Sequence, residues 1–178
     1  MLRGTTARQL DARRCAMPPQ QNWSPAPELV VDQWFNTDEP QSLGTLRGRV
    51  VVIEAFQMLC PGCVAHGIPQ AQRIAQAFPT ESVAVLGLHT VFEHHAAMTP
   101  VSLEAFLHEY RVTFPVAVDR PDGAGMPATM QAYRMQGTPT LILIDALGRL
   151  RKQWFGAPDD ITVGAEIMRL VSENAASR

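Results

Sequence analysis

Hydrophobic residues along this chain fall into two kinds of run, and the two kinds alternate. "VVVIEAF" (50–56), "SVAVLGLHT" (82–90) and "TLILID" (140–145) are short, continuous and largely aliphatic. Runs of that length and make-up predict strands buried on both faces. Between the first two, Val64, Ile68, Ala71, Ala75 and Phe78 recur three and four residues apart, which predicts a helix from Pro61 to about Phe78. Pro69 is expected to kink it, because proline removes an internal hydrogen bond. Thr99 is placed to cap a second helix, with Pro100 at its first position and Leu103, Phe106, Leu107 and Tyr110 as its apolar face.

The remaining segments complete the order. "ELVVDQWF" (28–35) reads as a short strand, "FPVAVD" (114–119) as an extended segment, and "RPDGAGMP" (120–127) as a loop. A short helix is expected around 127–134. "TLILID", the turn "DALG" and "RLRKQWF" (149–155) form a hairpin. A last helix is expected from about Pro158 to the C-terminus, with Ile161, Met168 and Val171 on one face. Parallel strands joined by helices, closed by an antiparallel hairpin, imply an α/β fold with a mixed sheet covered on both faces.

Length and charge narrow the picture. The 178 residues suffice for one domain with a real core, placed over 23–178. The net charge is −2, and no basic stripe or patch points to nucleic acid or a membrane surface. No apolar run approaches the roughly 18–20 residues of a membrane span. Residues 1–22 are Arg-rich and lack the apolar segment of a secretory signal. They read as an unstructured leader, or as the product of a start upstream of a true one at Met17. The expected compartment is the cytoplasm, where a close cysteine pair is catalytic or metal-binding rather than structural.

That pair is Cys60 and Cys63, between the strand 50–56 and the helix. A zinc site needs four ligands, and the chain supplies one pair plus His66, His89, His94, His95 and His108, none at the usual spacing. No metal is therefore assigned. Redox chemistry needs less. A first cysteine at a helix N-terminus meets free N–H groups and the positive end of the helix dipole, which favour its thiolate. A second cysteine one turn inward can attack the resulting mixed disulfide. Pro61 at the helix start costs no hydrogen bond.

"VVVIEAFQMLCPGC" and "YRMQGTPTLILIDALGRL", at their spacing, resemble the thioredoxin-like superfamily, closest to its TlpA-like and redoxin branch, over about residues 26–175. The resemblance implies a thioredoxin-like three-layer sandwich, with a central mixed sheet, helices on both faces and an N-terminal extension. It implies a thiol–disulfide oxidoreductase with no cofactor, acting on protein disulfide or dithiol substrates and served by an electron-donor reductase or another dithiol protein. Thr138–Pro139 matches the family's cis-proline, which faces the disulfide and docks the substrate chain beside Pro61 and Gly62. Glu54, six residues before Cys60, matches the family's buried acid, a proton acceptor for Cys63. Oligomeric state is left open.

Several positions depart from the family pattern. Between the cysteines stands Pro-Gly rather than Gly-Pro, so no redox potential carries over. Leu59 replaces the usual aromatic, and His66 stands where TlpA-like proteins commonly carry Glu. His66 is either a tuning group for the thiols or a solvated helix residue. Two alternatives remain. A redoxin-type thiol peroxidase would use Cys60 on peroxide, but Ile53 and Gln57 occupy the positions where peroxiredoxins carry Pro and Thr. A copper-delivery module would carry three residues between its cysteines, not two. Cys15 falls in the leader and is assigned no chemistry.

Overall fold

The computed structural model describes residues 23–123 and 125–176; the leader 1–22 and Cys15 lie outside them. The strand Val50–Phe56 (β2) is buried at every residue. That burial reflects its place at the centre of the sheet, where both faces are covered. It pairs in parallel with Val83–His89 (β3) and antiparallel with Thr140–Ile144 (β5). β5 continues through the hairpin into Leu150–Phe155 (β6). On the other side β3 pairs in parallel with Val116–Asp119 (β4), and β4 pairs antiparallel with Val31–Phe35 (β1) at the edge. The sheet has six strands in the order β1–β4–β3–β2–β5–β6. The mixed sheet expected from the sequence is what forms.

One face of the sheet packs on three helices: Ile68–Ala77 (α1), Pro100–Glu109 (α2) and Asp160–Ala176 (α4). Val50, Val52 and Phe56 meet Ile68, Leu103 and Ile167 there. Val51, Ile53 and Ala55 point the other way, toward Leu43, Leu46 and Met130, the last from the short helix Ala128–Ala132 (α3). The period-2 alternation of a strand thus divides one apolar run between two cores. Among the described residues no helix is long and apolar enough to cross a membrane.

Local chemistry sets the element ends. Thr99 Oγ1 accepts the Ser102 N–H at 3.3 Å, with Pro100 in the first turn. The β5–β6 turn is held by Asp145, whose Oδ1 accepts the Leu147 and Arg149 N–H groups at 3.0 Å each. Gly148, at φ +72°, supplies the left-handed residue.

Three expectations need correction or refinement. α4 buries Val163, Ile167 and Leu170; of the face expected, Val171 packs partly buried against the same core, while Ile161 and Met168 are 85% and 49% exposed. Both sets of residues share a helical period; which one turns inward is decided by docking on the sheet, which period does not encode. On α2, Leu103 and Leu107 are buried, while Tyr110 is exposed and stacks on Phe106 with 4.2 Å between centroids. The kink expected at Pro69 takes the form of a wider turn just before it. Cys63–Gly67 is a π-helical segment, closed by the Ile68 N–H on Cys63 O.

Candidate active site

β2 ends at Phe56, and a buried glutamine shapes the turn after it. Gln57 Oε1 accepts the Phe92 N–H at 3.2 Å, and its backbone carbonyl accepts the Cys60 N–H at 3.2 Å. The chain then turns so that Cys60 becomes the cap of the next helix. Cys60 O accepts the Val64 N–H at 3.1 Å, and Cys60 Sγ accepts the Cys63 N–H at 3.2 Å. This is the cap geometry usually filled by Ser or Asp, here with sulfur as the acceptor. The Cys60 thiol also donates to Thr138 O at 3.5 Å. Cys60 is half-buried, and both cysteines are free thiols.

Cys63 sits one turn inward with 0% exposure. Burial, and then its hydrogen bond with Cys60, pushes its thiol far above the ordinary range, against smaller opposing effects from Gln57 and Thr138. Glu54 lies on the same sheet face, paired with Gly87 and Leu141 across the sheet and 1% exposed. Burial raises its carboxyl well above the usual range, and the nearby Cys60 charge adds to that. Glu54 is therefore a buried acid on a central strand, as the resemblance implies.

The Thr138–Pro139 peptide bond is cis. Pro139 packs against the cysteine turn: a Cβ on Gly62 would stand 3.3 Å from Pro139 Cδ. Pro139 O accepts the Gly156 N–H at 2.8 Å, which ties this loop to the end of β6. The fold thus brings Cys60, Cys63, Gly62, Thr138, Pro139 and Glu54 to one end of the sheet. Pro61 and His66 are exposed on the turn.

Sequence reasoning passed over Gly67 and Phe155 here, and weighed His89 only as a zinc ligand. Gly67 lies against Glu54 and Pro139. Phe155, 58% exposed, covers Gly137, where a Cβ would stand 2.9 Å from its ring. His89, at the same end of β3, is buried with neither ring nitrogen hydrogen-bonded, and burial lowers its pKa to about 4. A glycine inside a helical window was the one available signal for Gly67. For the other two, only the register between strands reveals the setting.

The alternative chemistries find less support. Gln57, at the position of the peroxiredoxin threonine, commits its amide to Phe92 and to Glu93 Oε1 at 3.4 Å. Ile53 points into the opposite core. Among the described residues no group of three or more His, Cys, Asp or Glu side chains comes together to hold a metal. His94 and His95 are exposed on their loop.

Comparison with known proteins agrees with this geometry. The profile of the AhpC/TSA family matches residues 24–153. The chain belongs to the AhpC/TSA family. Its thioredoxin-like fold is shared with the crystal structure of the thioredoxin-like superfamily protein SPOA0173. The two are 61% identical with a TM-score of 0.82, covering 83% of this chain and 96% of the other. A thiol-disulfide isomerase from Corynebacterium glutamicum is 50% identical with a TM-score of 0.81, over 84% of this chain and 97% of that structure. Protein DipZ of Mycobacterium tuberculosis is 32% identical over 137 residues, which is 75% of this chain. This AhpC/TSA chain spans only 19% of DipZ's length.

Proposed function

We propose that this chain is a thiol–disulfide oxidoreductase acting on protein disulfides through Cys60 and Cys63. The observation that carries the reading is the Cys63 N–H directed at Cys60 Sγ from the first turn of a helix, with Cys63 itself buried behind it. One sulfur is presented to solvent with a donor to stabilise its negative charge; the other is withheld.

The steps reflect that asymmetry. Cys60 thiolate attacks one sulfur of a substrate disulfide, forming a mixed disulfide and releasing the other substrate sulfur as a thiolate, which takes a proton from water. Cys63 gives its proton to the Glu54 carboxylate and attacks Cys60 Sγ. The Cys60–Cys63 disulfide forms, and the remaining substrate sulfur leaves reduced. Burial raises Glu54, which makes its carboxylate a stronger base than an exposed one, and burial raises Cys63, which makes its thiol depend on such a base. Thr138 and Pro139 border Cys60 and offer the backbone against which a substrate segment lies. Return to the dithiol form needs a second dithiol protein or a reductase. All steps run in reverse if the physiological partner is a dithiol.

Equilibration in glutathione buffers of graded ratio, with acid quenching and mass spectrometry, tests this. The expected result is a single two-electron transition to an internal disulfide, absent in Cys60→Ser and in Cys63→Ser. Accumulation of a stable glutathione adduct on wild-type Cys60 with no internal disulfide would overturn it.

A further inference from the structure

Gly67 has ordinary right-handed helical angles, φ −59° and ψ −57°. Its backbone therefore does not need glycine, and glycine is the poorest helix former after proline. The reason for it lies in space rather than conformation. A Cβ at this position would overlap Glu54 Oε1, and would stand 3.0 Å from Glu54 Cδ and 3.0 Å from Pro139 Cβ. Gly67 is buried, and Glu54 Oε1 is buried without a hydrogen-bond partner. The π-helical segment Cys63–Gly67 begins at the resolving cysteine and ends at this contact, so one turn of backbone joins the cysteine to the residue that lies against the Glu54 carboxyl. Pro69 comes two residues later, in the first turn of α1.

We propose that Gly67 is a positioning residue for the redox reaction: the bare backbone at the end of the π-turn leaves the space that holds the Glu54 carboxyl beside Pro139 and the cysteine turn. This rests on the thiol–disulfide reading above and adds to it the element that fixes where the proton acceptor stands. In the step concerned, the Cys63 S–H bond breaks and its proton goes to the Glu54 carboxylate. The new bond joins the two cysteine sulfurs, and the Cys60–substrate sulfur bond breaks with its electron pair on the substrate sulfur. The nearest atoms that a methyl group at 67 meets belong to the carboxyl and to Pro139; it displaces the acceptor. Its effect therefore falls on resolution and not on attack.

The reaction of the reduced protein with 5,5′-dithiobis(2-nitrobenzoate), in a Cys15→Ser background, reads the two steps separately. Attack by Cys60 releases one thionitrobenzoate, and resolution by Cys63 releases the second. In Gly67→Ala the second release is expected to slow by about tenfold near neutral pH, with the difference closing at high pH where hydroxide replaces the base. The first release should stay within about twofold. In a Glu54→Ala background the added methyl meets no carboxyl, so Glu54→Ala/Gly67→Ala should resolve at the rate of Glu54→Ala alone. Glu54→Asp/Gly67→Ala, with the carboxyl drawn back by one methylene, should recover part of the lost rate. The two double variants keep the proposal falsifiable if Gly67→Ala itself folds poorly.

A second-release rate and pH profile unchanged in Gly67→Ala would overturn the proposal, as would losses that simply multiply in the Glu54→Ala double variant. Either result would leave the thiol–disulfide reading intact. A wild-type protein that never releases the second equivalent would overturn that reading and this proposal together.

Discussion

His89 offers a test of the fold that can be worked in numbers. Its ring lies 5.4 Å from that of Phe56, centroid to centroid, and is almost wholly buried. Neither ring nitrogen has a hydrogen-bond partner, and burial lowers its pKa from 6.5 to about 4. Linkage gives the sign. A base whose folded pKa is depressed contributes stability above the unfolded pKa, and that stability is lost as pH falls toward the folded value. Between pH 7 and pH 5 the unfolded histidine takes up a proton and the folded one does not. That span contains about one and a half units of differential protonation at about 1.4 kcal/mol each, or about 2 kcal/mol. The perturbation is His89→Met, similar in size and unable to titrate. At pH 7 the variant should equal the wild type or exceed it by about 1–3 kcal/mol, since two unpaired nitrogens are removed. At pH 5 its advantage should grow by about a further 2 kcal/mol. Urea unfolding at the two pH values measures this, and the other titrating groups cancel in the comparison. A gap between the two proteins that is the same at pH 5 and pH 7 would refute the reasoning.

Two further outcomes rest on named groups. Glu54 has a raised folded pKa, so its stabilising contribution is present below the ordinary carboxyl value and is lost as pH rises. Glu54→Gln should therefore gain on the wild type in urea unfolding from pH 5 to pH 8 while resolving mixed disulfides more slowly; a flat stability difference would contradict the burial argument. Arg151 is buried, pairs with Asp145 at 2.9 Å and Glu173 at 2.8 Å, and lies 4.7 Å from the Trp23 ring centroid. Arg151→Met should cost about 3 kcal/mol in the same assay with little salt dependence, because Asp145 stays buried with one partner fewer. A loss under about half a kcal/mol would show that the pair contributes little.

Much of this is legible in the chain. The strand 50–56 has the bounds its residues predict, because a central strand buried on both faces reads as an unbroken apolar run. Glu54 stands out in it for the same reason: a charge in such a run needs an explanation. The cap at Thr99 and the hairpin at 145–148 are local chemistry, carried by residues next to each other in sequence. The features that cannot be read this way depend on distant segments. The inward face of α4 is chosen by docking, so the expectation for Ile161 fails. The place of Gly67 requires knowing that a π-turn from one segment meets a side chain from β2. The isolation of His89 requires the β2–β3 register, which sets it beside Phe56 instead of beside a polar partner.

The central claim is the division of labour between the two cysteines, and mixed-disulfide trapping tests it most directly. Cys60→Ser and Cys63→Ser are expressed in cells, quenched with acid and alkylated, and compared on non-reducing gels with partners identified by mass spectrometry. The account predicts that Cys63→Ser accumulates adducts with substrate proteins through Cys60, since external thiols resolve them more slowly than a neighbouring cysteine held in place. It predicts that Cys60→Ser traps far less, because the remaining thiol is buried and resists ionisation. Trapping by Cys60→Ser and not by Cys63→Ser would reverse the order of attack and contradict the account.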